Sequence, residues 1–144
     1  MSLPKFVWSP IPTEMAVDLE RLCPTTDRYR IFAEQVYPLL AKARAGLEKE
    51  AYCPNNGRAA IEPVLLLGVS LLQYLDRVPD RQAVELMRYH WGWNLALHRH
   101  LQEPGFDRSV LSYFRERLTE HAQSGLIFER ILEGLVAAGV CRTF

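Results

Sequence analysis

The segment from residue 63 to residue 75 constrains the fold most, because as a helix it has almost no polar face. Its sequence, PVLLLGVSLLQYL, opens on Pro63, and proline suits the first turn of a helix. A helix that is apolar on nearly all sides has to be surrounded by other elements. We therefore predict that residues 63–75 form the central core helix, with Leu66 and Leu71 buried.

The rest of the chain also shows helical spacing of its apolar residues, and no stretch alternates long enough to predict a strand. Thr26 or Asp27 is expected to cap a helix that runs to Glu50, with a kink or break at Pro38. Asp80 is expected to cap the helix after the core segment. Further helices are predicted at residues 91–101, 107–119 and 124–138. The predicted fold is all-α, a compact bundle of about five or six helices with a helix-turn-helix-like portion between residues 76 and 121.

Two regions are expected along the 144 residues, a length that suits one domain. Residues 1–25 contain four prolines and read as an extended, proline-rich arm whose Phe6 and Trp8 pack on a neighbouring surface. Residues 26–144 are expected to form the helical domain.

Composition narrows the classes of function. Seventeen basic and seventeen acidic residues cancel, so net charge does not favour a nucleic-acid partner. Fourteen of the basic residues are arginines, whose planar fork of donors suits phosphate and guanine. Three cysteines without paired spacing, and a start without signal-peptide character, predict free thiols in a cytoplasmic protein. The apolar runs are too short to span a membrane.

The sequence contains no motif of a known catalytic or metal-binding type. A glycine-rich phosphate loop, GxSxG and HExxH are all missing from it. His98 and His100 are two residues apart, so on a helix they would point in different directions. We interpret them as core or surface histidines with ordinary hydrogen-bond partners. No catalytic residue, metal site or cofactor is predicted.

The segment DRSVLSYFRERLT, residues 107–119, predicts an amphipathic helix that Asp107 caps. Its apolar face is formed by Val110, Leu111, Phe114 and Leu118, and its polar face by Arg108, Ser112, Arg115 and Thr119. A DNA-reading helix needs one face to hold it on the domain and an opposite face to meet phosphates and bases. Many ordinary surface helices have the same pattern, and that alternative stays open.

The order of short motifs over residues 57–140 resembles the N-terminal domain of bacterial insertion-sequence transposases of the DDE type, the InsH-like group. A Gly-Arg pair precedes a Pro-led, Leu-rich helix, an Asp-Arg pair opens the next helix, and an Arg-Tyr pair lies near its end. A Ser-x-Leu-Ser-x-Phe-Arg-x-Arg-Leu helix follows, and LIFERILEGLVAAGV is similar to the last helix of that domain. The corresponding residues are Gly57, Arg58, Pro63, Leu65 to Leu67, Asp80, Arg81, Arg88, Tyr89, Ser109, Leu111, Ser112, Phe114, Arg115, Arg117 and Leu118. Ala59 and Ala60 depart from the pattern, since a proline is common there, and Trp91 and Trp93 make the aromatic segment richer.

The resemblance implies a DNA-binding module that recognises transposon ends and positions a catalytic domain. In the family the DDE domain follows the matched segment, so the chain is expected to be non-catalytic. We expect double-stranded DNA as partner, with contacts from Arg58, Arg81, Arg108, Ser109, Ser112 and Arg115. Ser109 is expected to meet phosphate and Arg115 a guanine edge. The alternative is a helical protein-interaction module that mediates transposase dimerisation, and a homodimer is possible with either function.

Overall fold

The computed structural model describes residues 10–50, 61–101 and 103–120, together with Glu129 and Glu133. Six helices and no strand occur in this part of the chain, which confirms the all-α bundle. The predicted arm residues Phe6 and Trp8, and nearly all of the predicted helix 124–138, lie outside the described residues. The six are α1 (Thr13–Leu22), α2 (residues 28–50, continuous through Arg28–Ile31, Phe32–Val36 and Tyr37–Glu50), α3 (Pro63–Asp76), α4 (Asp80–Tyr89), α5 (Trp91–Ala96) and α6 (Ser109–Glu120).

Helix α3 is the central element, as predicted. Leu66 and six further residues of this helix are buried, with α2, α4 and α6 as neighbours, and Leu71 is half-buried. Pro63 occupies the first turn, and the Glu62 carboxylate accepts the Val64 amide at 3.3 Å. The burial does not extend through the last turn, where Tyr74 is 82% exposed and Leu75 56% exposed. The expectation of a helix buried nearly all round is therefore wrong at its C-terminal end, where the described part of the chain leaves Tyr74 and Leu75 largely uncovered.

Pro38 changes the hydrogen bonding of α2 without ending the helix. The segment Phe32–Val36 is a π-turn, in which the Tyr37 amide donates to the carbonyl of Phe32. Pro38 has no N–H to donate, so the next backbone bond of the turn cannot form. The carbonyl of Ala33 accepts a hydrogen bond from His98 Nε2 instead, at 2.8 Å. Asp27 caps the helix as predicted, accepting the amides of Tyr29 and Arg30 at 3.1 Å each.

The expectation of an extended arm over residues 1–25 is wrong for the part that the structure describes. Residues Thr13–Leu22 form α1, which starts directly after Pro12 and ends before Pro24. Met15 and Leu19 are one helical turn apart, and both are buried in a small cluster with Ala33 of α2 and Leu95 of α5. The prolines therefore delimit a helix, whose apolar stripe is stabilised by packing on the domain.

Two other helix expectations need correction. Residues 91–101 were expected to be helical throughout, but α5 ends at Ala96, and His98 takes the left-handed conformation with φ of 55°. His98 thereby turns into the core, where its ring stacks on Tyr37 with centroids 3.9 Å apart. Asp80 does not cap α4. The cap position belongs to Pro79, and the Asp80 carboxylate is instead bound to other side chains.

Candidate nucleic-acid interface

Helix α6 is amphipathic in the predicted sense. Leu111, Phe114 and Leu118 are buried in the main core, and Ser112 and Arg115 on the other side are exposed. Arg108, just before the first turn, is also exposed. The apolar face thus holds α6 on the domain and leaves a polar face towards solvent.

Arg115 is bound to Asp80 by two parallel hydrogen bonds. Its Nη1 and Nη2 atoms donate to Oδ1 and Oδ2 of the carboxylate at 2.8 and 2.7 Å. Gln73 of α3 donates to the same Oδ1 at 2.9 Å. The side chains of Arg115 and Asp80 are 49% and 24% exposed, so the pair can be reached from solvent. These contacts join the start of α4 to the middle of α6.

Two further arginines lie near this ion pair. Arg81 follows Asp80 directly on the first turn of α4 and is exposed, and Arg108 is close enough to act electrostatically on Asp80. The hydrogen bonds from Arg115, then that from Gln73, and the charges of Arg115 and Arg108 lower the pKa of the Asp80 carboxyl against the opposing effect of its burial. The same ion pair raises the pKa of Arg115. Arg115 and Arg108 therefore act on one carboxylate, and exposed Arg81 follows it in the sequence, although the chain as a whole has no net charge.

The carboxylate of Asp107 lies at the start of α6 and binds the first residue of the helix. The Asp107 carboxylate accepts the Ser109 amide at 3.0 Å, which confirms its predicted role as a cap. The Ser109 hydroxyl also hydrogen-bonds to it, and these bonds lower the pKa of Asp107. Asp107 thus holds the groups of Ser109 that were expected to meet phosphate.

The remaining predicted residues fall into two groups. Arg58 lies outside the described residues, so the structure places only Arg81, Arg108, Ser109, Ser112 and Arg115. Arg117 is half-buried, in line with its position towards the apolar side of α6.

The expectation that the histidines have ordinary partners is confirmed for His98, which bonds to Ala33, and for His100, which pairs with Glu14. Within the described ranges, His, Cys, Asp and Glu form no group of three that could hold a metal ion.

The sequence did not reveal the role of Asp80, because its partner Arg115 lies 35 positions further along the chain. An aspartate directly after a proline is typical of a helix start, and local spacing carries no information on a side chain from a later helix. The structure brings the Asp-Arg pair of α4 and the polar face of α6 together at one site.

The connections between these helices differ in length. Three residues, 77–79, join α3 to α4, whereas twelve residues, 97–108, separate α5 from α6. Buried Arg99 holds part of the longer connection by donating to the carbonyl of Pro104 at 3.0 Å.

Among the described helices, none is both long enough and apolar enough to cross a membrane.

Comparison with known proteins identifies the family. The family model described as Transposase domain (DUF772) matches residues 17–117, which include the second half of α1, all of α2, α3, α4 and α5, and most of α6. No curated protein and no solved structure gave a significant match. The match covers well over half of the chain and contains the site around Asp80 and Arg115. The chain therefore belongs to the transposase domain family DUF772.

Proposed function

We propose that this domain binds double-stranded DNA at transposon ends and positions the catalytic domain of a DDE transposase of the InsH-like group. The observation that carries the proposal is the position of Arg115 and Arg108 at Asp80, where α4 meets α6, with exposed Arg81 next to Asp80 in the sequence. Membership of a transposase domain family supports a role in transposition.

In this proposal α6 is the reading helix of a helix-turn-helix-like unit and α4 braces it. In the domain without DNA, the bidentate contact between Asp80 and Arg115 joins the two helices. Arg81 and Arg108 contact phosphates, and Ser112 and Arg115 face the base edges. Ser109 contributes indirectly, since its bonds to Asp107 define where α6 begins. Arg58 stays a proposed DNA contact on the basis of the family resemblance alone.

The experiment is a fluorescence anisotropy titration of the full chain with a duplex that carries the terminal inverted repeat of the element encoding it. A scrambled duplex of equal length and base composition is the matched control. We expect tighter binding to the repeat and a steep loss of affinity for both duplexes as salt rises, because phosphate contacts release counterions. Equal affinity for the two duplexes, or no binding to either, would contradict the proposal.

A second function, dimerisation of the transposase through this domain, is favoured by the exposed end of α3. Tyr74 and Leu75 are large, adjacent and mostly exposed. We propose a second copy of the chain as the partner, since bringing two transposon ends together requires two DNA-binding domains. Sedimentation should show a dimer that the double substitution Tyr74→Ser and Leu75→Ser converts to a monomer. Val17→Ser, at an equally exposed position on α1, should leave the dimer intact.

A further inference from the structure

A carboxylate in the middle of a proposed DNA-binding face calls for an explanation. Phosphate contacts would be stronger without the negative charge of Asp80, which opposes the attraction from Arg81 and Arg108. Asp80 nevertheless accepts three hydrogen bonds there, two from Arg115 and one from Gln73. The Arg115 atoms that it occupies, Nη1 and Nη2, form the end-on fork that an arginine can present to guanine.

The chemistry of the ion pair matches the edge of one base pair. In the major groove guanine presents two acceptors, O6 and N7, which suit an arginine fork, and cytosine presents the N4 amino donor, which suits a carboxylate. We propose that Asp80 is a specificity-determining residue and that Asp80 and Arg115 together read a G·C base pair. This inference rests on the proposed function of α6 as a DNA-reading helix. On binding, Arg115 exchanges Asp80 for guanine, and Asp80 exchanges Arg115 for the amino group of cytosine.

Gln73 makes this exchange physically reasonable. Its amide lies 2.9 Å from Asp80 Oδ1 and 3.4 Å from the carbonyl of Val78, so it anchors the carboxylate to α3 independently of Arg115. Asp80 therefore keeps its position when Arg115 turns to DNA. At an adenine, an amino donor lies beside N7, and one arm of the fork loses its acceptor. At any base pair other than G·C, an Arg115 donor or the Asp80 carboxylate is therefore left desolvated and without a hydrogen-bond partner on the DNA, which reduces the affinity.

The first test is the enrichment of binding sites from a random-sequence duplex pool by the full chain. We compare the wild type with Asp80→Asn and with the control Glu116→Gln, which removes a negative charge next to Arg115 from the exposed face of α6. The wild type and the control should enrich one G·C pair, and Asp80→Asn, in which Arg115 can still meet guanine, should select that pair roughly tenfold less strongly. Asp80→Asn should also bind the unselected pool more tightly. A preference for this G·C pair that is as strong in Asp80→Asn as in the wild type would overturn the inference.

The second test alters the DNA and leaves the protein unchanged, so it does not depend on the folding of a variant. In the enriched duplex the selected cytosine is replaced by N4-methylcytosine, which still pairs with guanine but loses one amino hydrogen. The affinity of the wild-type chain should fall by roughly tenfold. An unchanged affinity would overturn the inference and leave DNA binding standing. A wild-type chain that enriches no sequence would contradict the proposed function itself.

Discussion

The carboxylate of Asp76 at the end of α3 accepts a hydrogen bond from the indole nitrogen of Trp93 in α5, at 2.8 Å. The same oxygen, Oδ2, accepts the Tyr29 hydroxyl at 2.7 Å, and Arg28 Nη1 lies 2.9 Å from Oδ1. Asp76 is almost completely buried, and Trp93 is fully buried. One carboxylate therefore connects the ends of three helices, α2, α3 and α5.

Trp93→Phe should destabilise the domain by about 1.5–3 kcal/mol, because it removes a hydrogen bond to a buried charged group while keeping an aromatic ring in the core. Urea denaturation of the wild type and the variant measures this difference. Asp18→Asn is the control, since Asp18 is 40% exposed and pairs only loosely with Arg21 at 3.6 Å. It should change the free energy of unfolding by less than about 0.5 kcal/mol. Equal effects of the two substitutions would show that Asp76 has no special role.

Gly92→Ala should destabilise the domain although alanine favours a helix by about 1 kcal/mol over glycine. A methyl group at position 92 would lie 2.5 Å from Cδ2 of Tyr29 and 2.9 Å from Cε2, and a ring held by Asp76 cannot easily move aside. We expect a net loss of about 1–3 kcal/mol in thermal or urea denaturation. Gly68→Ala is the comparison, because its nearest neighbour is the end of the flexible Leu97 side chain. It should cost less, and the opposite order would contradict this reason.

His98→Phe should preserve the stacking on Tyr37 but leave the Ala33 carbonyl without its donor, at a cost of about 1–3 kcal/mol. Pro38→Ala supplies a backbone N–H in the π-turn. The cost of His98→Phe should therefore be smaller when Pro38→Ala is also present, as a double-mutant cycle in urea can measure. Additive effects would show that Pro38 is not the reason why Ala33 needs His98.

The ion pair between Asp80 and Arg115 should contribute to stability in a pH-dependent way. Arg115 lowers the pKa of Asp80 in the folded protein, whereas an unfolded aspartate has a pKa of about 3.9. The contribution is therefore fully present above that value and is lost as the pH falls through the lowered folded pKa. We expect Asp80→Asn to cost about 0.2–1 kcal/mol at pH 7 and progressively less below about pH 4. A pH-independent cost would show that the charge of Asp80 is not involved.

The sequence predicted those elements whose cause is local. The apolar character of α3, the Asp27 and Asp107 caps and the apolar stripe of α6 all follow from residues within a few positions of one another. Nothing in the sequence indicated the role of Asp76, because Tyr29 is 47 positions away and Trp93 is 17 positions away. Partners at such distances are determined by packing, which local patterns do not describe.

The same limit explains the errors at α1 and α5. Four prolines in the first 25 residues predicted an extended arm, although two of them only delimit the helix that Met15 and Leu19 anchor. Continued helical spacing suggested that α5 reaches residue 101, but His98 leaves the helix to bond to Ala33. In the candidate site, the arginines were predicted from the polar face of α6 and the family resemblance. The proximity of Arg115 and Arg108 to Asp80 became visible only in three dimensions.

Arg81→Ala and Arg108→Ala together should weaken binding to the terminal-repeat duplex and to a scrambled duplex by similar factors, because phosphate contacts carry no sequence information. If each arginine neutralises one phosphate, the double substitution reduces the slope of log affinity against log salt concentration by about 1.8. Arg21→Ala, at an exposed position on α1, is the matched control and should leave the slope unchanged. An unchanged slope in the double variant would place the phosphate contacts elsewhere on the domain.

The most direct test of α6 as the reading helix is the ratio of affinities for the terminal-repeat duplex and a scrambled duplex, measured for the wild type and Arg115→Ala at one salt concentration. Far-ultraviolet circular dichroism confirms that the variant is folded. Our account predicts that the ratio falls by roughly tenfold, since a bidentate contact to guanine contributes about 1–3 kcal/mol of discrimination. A folded Arg115→Ala variant with the wild-type ratio would contradict it and make α6 an ordinary surface helix.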